Sequence, residues 1–350
     1  MINFMPDCEN IVAAARNIKA PRLPLYEHLI SVGQMEKITG DNFGALFYGD
    51  HNDRVEFFRR YFAFFGRMGY DAAPYEYCIG GALPYGGCLG GHKESVIHDR
   101  ADFELYPWDE IPERFFAASG DILAALAEAV PPGMAAVGGV GNGVFECVED
   151  IVGYVNLCYI SDDDPELYAD LFRRVGDISH RIWERFMREY SSPFCVLRFG
   201  DDLGYKSNTL ISARDIKEHV LPVYRRIISL VHSYGKPFLL HSCGNLFGVM
   251  DDIIATGIDA KHSNEDQIAP FPVWVERYGD RIGNFGGIDT DALCRLDRQQ
   301  LREYIVDVLK KCEGRGGIAF GSGNSIPDYV PTENYIAMTE IVREYRGDTK

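Results

Sequence analysis

His241 and Cys243 stand one residue apart in Pro237-Phe-Leu-Leu-His-Ser-Cys-Gly244. In an extended chain, residues i and i+2 project to the same face, so this imidazole and thiol can converge on one point. The pair suits zinc, because a thiolate selects a soft or borderline metal and imidazole is a good zinc ligand. The competing reading is a hydrogen-bonded histidine beside a buried thiol. Placement at the end of an apolar run, just before a glycine, favours the metal. Two ligands are too few: a catalytic zinc usually takes about three from protein and keeps one position open.

A third ligand has to come from elsewhere in the chain. Glu265, in His262-Ser-Asn-Glu265, is the first choice. Asp201 or Asp202, in Gly200-Asp-Asp-Leu-Gly204, is the second, and Asp289 after Gly286-Gly-Ile is the third. Any one of these could equally be a turn or helix-cap carboxylate. The adjacent Asp201 and Asp202 carry more weight, since two carboxylates side by side repel unless something cationic is near. They are read as orienting substrate or acting as general base. His262, alone at a strand end, reads as a hydrogen-bonding core residue.

Other motifs carry less. Gly80-Gly-Ala-Leu-Pro-Tyr-Gly-Gly-Cys-Leu-Gly-Gly91 is rich in glycine but lacks the Gly-Lys-Ser/Thr ending of a phosphate loop. It is expected to be a mobile loop over the site, with His92 and Lys93 at its end. Gly138-Gly-Val-Gly-Asn-Gly143 misses the register of a dinucleotide fingerprint, and no Gly-x-Ser-x-Gly elbow is present.

The elements that would position these groups alternate. Apolar β-like runs occur at Asp71–Tyr77, Met134–Val140, Cys195–Phe199, Pro237–Leu240, Ile258–Lys261, Ile282–Ile288 and Gly317–Phe320. Between them lie helical patterns: Ser212 opening a helix that Gly235 stops, then Leu246–Thr256, Phe271–Tyr278, Arg298–Cys312, and a last helix from Pro331. Seven strands alternating with helices predict an α/β fold with a parallel sheet. Polar or glycine residues follow nearly every strand of the C-terminal half. A (β/α)8 TIM barrel gathers all strand ends at one mouth, whereas an open sheet would scatter them. The expected organisation is therefore an N-terminal helical extension over residues 1–69 and a barrel over 70–350.

With 350 residues, 35 basic against 52 acidic, the chain has a formal charge of −17. Such a chain repels phosphate backbones and anionic lipid, so no nucleic acid and no membrane partner is expected. No apolar run reaches the ~20 residues that cross a bilayer. The nine cysteines are scattered rather than densely spaced, and no secretory signal is visible, which points to the cytoplasm.

Gly200-Asp-Asp-Leu-Gly204, Pro237-Phe-Leu-Leu-His-Ser-Cys-Gly-Asn245, Gly257-Ile-Asp-Ala, Gly286-Gly-Ile-Asp289 and Pro331-Thr-Glu-Asn-Tyr-Ile-Ala-Met338 together resemble the uroporphyrinogen decarboxylase superfamily. The likeness is most specific from about 195 to 345, with a looser echo in Arg22-Leu-Pro-Leu-Tyr-Glu-His28 and Gly69–Glu76. The superfamily shares a β/α barrel and holds both the decarboxylases of haem synthesis and zinc methyltransferases that work with corrinoid proteins. The decarboxylases' N-terminal Arg-Gln-Ala-Gly-Arg motif is missing, and a polycarboxylate would be poorly neutralised here.

The methyltransferase branch uses His-x-Cys as zinc ligands, which implies that role for His241 and Cys243. Its thiol-methylating members carry another Cys after the last strand, where this chain has Asn324 in Gly321-Ser-Gly-Asn-Ser-Ile-Pro327. Asn324 is then read as a substrate-side residue, and a carboxylate, Glu265 first, would complete a more Lewis-acidic zinc. The resemblance further implies a corrinoid carried by a partner protein, a small-molecule methyl donor or acceptor, and pairing into a homodimer. Tyr75, Tyr77 and Tyr205 are expected either as aromatic walls for a flat ligand or as core and rim packing. Two alternatives stay open. One is metal-free decarboxylation with Asp201 or Asp202 stabilising a cationic intermediate, and the other is a non-catalytic binding protein.

Overall fold

The computed structural model describes residues 4–91 and 93–348; His92 lies outside the described residues. Its framework is one sheet of seven parallel strands in strictly sequential order. They are β1 (Ala73–Cys78), β2 (Ala136–Gly141), β3 (Phe194–Gly200), β4 (Phe238–His241), β5 (Ala260–His262), β6 (Gly283–Ile288) and β7 (Ile318–Ser322). Each apolar run singled out above corresponds to one of them. The helices Phe271–Tyr278 and Arg298–Cys312 run over the residues their periodicity predicts. Ser212 caps its helix by accepting from the Asp215 N–H. The helix expected over Leu246–Thr256 is shorter, Met250–Ile254, because Gly244 turns the chain with φ 91° and the residues after it run as a loop.

The sheet curls. Val137, Val196, Leu239, Ala260, Phe285 and Ala319, one from each of β2 to β7, meet in a single buried cluster with Ala72 beside β1. Strands that lie flat could not bring the first and last of these together. The short helix Glu9–Ala15 contributes Ile11, Ala14 and Ala15 to the same cluster and so plugs the end opposite the polar strand ends. An added Cβ at Gly283 would lie 2.4 Å from the Ala14 carbonyl oxygen, so this close approach requires glycine.

Where an eighth strand was expected, the described residues hold seven. The first 69 residues are also not all helical. Pro24 to Ser31 run extended beside β7: the Tyr26 N–H donates to the Phe320 carbonyl (3.0 Å), the Phe320 N–H to Pro24 (2.9 Å) and the Ile326 N–H to Leu29 (2.8 Å). Leu25 and Ile30 bridge in parallel to Phe320 and Ile326. A segment punctuated by Pro21 and Pro24 cannot continue a helix, and it takes the free edge of the sheet instead. The long helix His51–Met68, closed by an Asp50–Asp53 capping box, packs outside β1 against the helix Ile111–Ala129.

Strand alternation then decides what reaches the mouth. Stepping by two from the interior cluster leads from Val196 to Arg198, from Leu239 to His241 and Cys243, and from Ala260 to His262 and Asn264. On β1 the same phase sends Glu76 inward and leaves Tyr75 and Tyr77 outside, where their rings pack edge-on against Phe58 (5.0 Å) and Phe115 (5.4 Å). Among the described residues, no helix is long and apolar enough to cross a membrane.

Candidate metal centre

His241 ends β4, and its Nε2 lies 3.5 Å from Cys243 Sγ and 3.8 Å from Asp202 Oδ1. One ligand atom from each of these three residues falls within 4.8 Å of the others. On a tetrahedral zinc, nitrogen and thiolate sulfur stand about 3.5 Å apart and nitrogen and carboxylate oxygen about 3.4 Å, so the observed spacing fits with a small closure of Asp202. The donor set is also chemically apt: one imidazole, one thiol and one carboxylate, with a fourth position left for substrate.

Each ligand is held by the backbone around it. The Cys243 N–H donates to Asp202 Oδ1 (2.8 Å), tying the loop after β3 to the loop after β4. Those loops touch so closely that a Cβ at Gly244 would fall 2.1 Å from the Gly204 carbonyl carbon. Cys243 Sγ accepts from Ser263 Oγ (3.4 Å) and Asn324 Nδ2 (3.3 Å). Ser263 reaches it from a left-handed backbone, φ 98°, which costs a residue with a Cβ roughly 1–3 kcal/mol and is typical of functional sites. His28 stacks on His241 with ring centroids 3.7 Å apart and 15° between planes.

Burial governs the electrostatics. It holds His241 well below the usual histidine range, with His262, Arg198 and Lys261 adding to the effect. It pushes the Cys243 thiol up, and Asp202 adds to that. Lys261, buried against the Trp274 ring at 4.2 Å, is brought down to about 8 by burial. A metal cation would relieve the cost of a thiolate here.

The carboxylates sort by environment. Asp201 is fully buried and accepts from the Phe145 N–H (3.2 Å), the Glu146 N–H (2.8 Å) and the Tyr224 hydroxyl (2.8 Å). It therefore holds the start of the helix Val144–Val152. Burial nonetheless raises it to about 7, and raises the neighbouring Glu146 to about 8, with Asp201 and Asp202 adding to the latter. Asp202 instead stands with His241 and Cys243 in the group that could hold an ion. Glu265 is not in that group; it lines an adjoining cleft of ≈ 410 Å³ with Asn264, Asp289 and Asn324. Asp289 caps the helix Thr290–Arg295, with Oδ1 taking the Asp291 and Ala292 N–H groups. Tyr205 is 64% exposed, on the rim rather than in the site. The glycine-rich segment is tethered: the Gly87, Cys88 and Leu89 N–H groups all donate to Asp150, and Lys93 donates to the Gly86 carbonyl.

His28, Arg198 and Glu76 were not singled out from the sequence. Arg198 is 1% exposed, and its guanidinium donates to Glu76 Oε2 (2.8 and 3.0 Å), the Tyr26 hydroxyl (2.6 Å) and the His28 carbonyl (3.1 Å). Counting by two from Val196 and Ala72 would have placed Arg198 and Glu76 on the inner face of the curled sheet, within reach of each other.

No curated protein matches this chain. Among solved structures, a methyltransferase from Methanosarcina mazei is similar over 96% of this chain and 98% of its own, with 16% identity and a TM-score of 0.69, a likeness of fold. A xylose isomerase-like TIM barrel protein from Mycobacterium smegmatis in complex with magnesium aligns over 85% of this chain and 91% of its own, with 11% identity and a TM-score of only 0.37, too slight to argue from. The model of the family described as Uroporphyrinogen decarboxylase (URO-D) matches residues 67–345, and the chain, which carries its strand-end polar residues around one mouth, belongs to that family.

Proposed function

We propose that this protein is a zinc-dependent methyltransferase, moving a methyl group to or from a corrinoid held by a partner protein. The observation that carries the reading is the convergence of His241, Cys243 and Asp202 at the strand ends. The likeness in fold to the Methanosarcina mazei methyltransferase is consistent with it. On this reading the seven strands and the extended segment 24–31 make a variant of the (β/α)8 barrel. Nine free thiols accord with a reducing cytoplasm. The corrinoid partner and a homodimer belong to the same proposal.

His241, Cys243 and Asp202 would hold the ion. Once bound, zinc supplies Lewis acidity to a substrate thiol, hydroxyl or ether oxygen at its open position. The chain's own residues prepare that position. Asn324 and Ser263 donate to the sulfur and fix its direction. Glu265 stands in the cleft beside it, where it can orient a substrate donor. Burial of His241 keeps its imidazole neutral, so no proton has to leave before it ligates.

Decarboxylation of a porphyrinogen fits these residues less well. A substrate with many carboxylates needs free guanidinium groups at the mouth, and the one on β3, Arg198, is spent on Glu76. Metal analysis of purified protein should give close to one zinc per chain, lost in His241→Ala with Cys243→Ala. Wild-type protein should consume methylcobalamin in the presence of a thiol acceptor, releasing cob(I)alamin, or methylate chemically reduced cob(I)alamin from a methyl donor. Metal-free wild type that releases carbon dioxide from uroporphyrinogen would overturn the proposal in favour of the decarboxylase.

A further inference from the structure

A histidine offers a metal only the ring nitrogen that lacks a proton, so the tautomer of His241 decides whether it can ligate through Nε2. Its Nδ1 lies 2.7 Å from His262 Nδ1, a hydrogen bond that needs one proton between two nitrogens. The other nitrogen of His262, Nε2, lies 3.1 Å from the Ser322 carbonyl oxygen. A carbonyl only accepts, so His262 Nε2 carries a hydrogen. His262 is 0% exposed, and its two ring nitrogens meet an imidazole and a carbonyl oxygen rather than a carboxylate that could balance a charge, so it is buried as the neutral ring with just that one proton. Its Nδ1 must accept, and the shared proton belongs to His241 Nδ1. That leaves the lone pair of His241 on Nε2, the nitrogen facing Cys243 and Asp202.

The carbonyl that accepts at the far end of the chain is held in place. The Ser322 N–H donates to Glu27 Oε1 (3.0 Å) and the Ser322 hydroxyl bonds Oε2 of the same carboxyl group. Glu27, Ser322 and His262 are each 0% exposed and His241 is 5% exposed, so water does not compete for these bonds. The stacked ring of His28 restrains rotation of His241.

We propose that His262 is a positioning residue: braced by Ser322 and Glu27, it locks His241 as the Nδ1–H tautomer and so presets Nε2 as a metal ligand. The inference rests on the metal site proposed above, but its own content is the proton order along Ser322, His262 and His241. The three-histidine group His28, His241 and His262 is, on this view, no second metal site, since its closest pair is joined by a proton.

The test compares wild type, His262→Asn and His262→Leu by zinc competition against a chromophoric chelator, with circular dichroism confirming the fold. Nitrogen-15 NMR of the zinc-free wild type reads the His241 tautomer directly. Asparagine can place an oxygen where His262 Nδ1 accepts, so its zinc affinity should stay within a few-fold of wild type. Leucine removes the acceptor and should weaken zinc by roughly 10–100-fold, the range usual for an outer-shell partner of a ligating histidine. The spectrum should show His241 protonated at Nδ1. A folded leucine variant that binds zinc as tightly as wild type, or a wild-type His241 protonated at Nε2, overturns the inference. If the leucine variant does not fold, the wild-type spectrum and the asparagine variant decide. Wild type that takes up no zinc but shows the Nδ1–H tautomer overturns the metal reading while supporting the proton order.

Discussion

Asn324 Nδ2 donates to Cys243 Sγ across 3.3 Å, so the loop after β7 meets the loop after β4 at the sulfur. Two thiolates on one tetrahedral zinc stand about 3.8 Å apart, so position 324 is within reach of the ion that Cys243 would hold. Asn324→Cys should therefore add a ligand. Zinc affinity is expected to rise by roughly tenfold or more, and the cobalt-substituted protein should gain thiolate-to-cobalt absorbance in the near ultraviolet. Unchanged affinity and an unchanged cobalt spectrum would place Asn324 away from the coordination sphere.

Asp201 and Asp202 are chain neighbours with different partners, and substitution should separate them. Asp201→Asn replaces a carboxylate that accepts two backbone N–H groups and a tyrosine hydroxyl by an amide with one acceptor oxygen. Denaturant unfolding should register a loss of about 1–3 kcal/mol. Asp202→Asn can keep the bond from the Cys243 N–H and loses only the charge facing the metal group. Its stability should stay close to wild type while zinc binding weakens by roughly tenfold or more. Equal effects of the two substitutions on zinc would mean that the pair acts as one acidic patch.

The framework was legible because burial imprints periodicity. Each of the seven strands overlaps one of the short β-like runs, and Gly235, Gly257 and Gly279 mark where helices stop. The segment beside β7 left no such mark: Pro24-Leu-Tyr-Glu-His28 is too short and mixed to read as a strand, and its partner lies about 300 residues away along the chain. That His241 and Cys243 lie side by side was legible from their spacing. That Asp202, and not Glu265, falls beside them was not, because both follow strands, and the outcome depends on how the loop after β3 folds back to take the Cys243 N–H. Tyr75 and Tyr77 show the cost of an unphased alternation: assigning Glu76 inward turns both rings outward onto helices.

Arg198 is a structural cation whose removal strands a carboxylate. Arg198→Met leaves Glu76 without its ion-pair partner and frees the Tyr26 hydroxyl and His28 carbonyl. Breaking a buried pair on one side costs about 3–5 kcal/mol, whereas removing both charges is far milder. Chemical denaturation should show the single variant destabilised by that amount and Arg198→Met with Glu76→Gln recovering a large part of it. If the double variant is as unstable as the single one, the cost lies in lost packing and lost bonds to segment 24–31 rather than in the stranded charge.

Glu27 gives the fold a pH dependence of predictable sign. Burial raises its carboxyl from 4.5 to about 8, against the lowering effect of its bonds from Ser322 and Tyr70. A raised carboxyl binds its proton more tightly in the folded chain than in the unfolded one. Its contribution to stability is thus fully present below about pH 4.5 and is lost as pH climbs through about 8, a change on the order of a few kcal/mol. Glu27→Gln mimics the protonated form, since its oxygen can accept the Ser322 N–H and its amide can donate to the Ser322 hydroxyl. Melting temperatures of the two proteins, measured from pH 5 to 8.5, should diverge steadily in favour of glutamine. A constant difference across that range would show that the Glu27 carboxyl does not change protonation between pH 5 and 8.5.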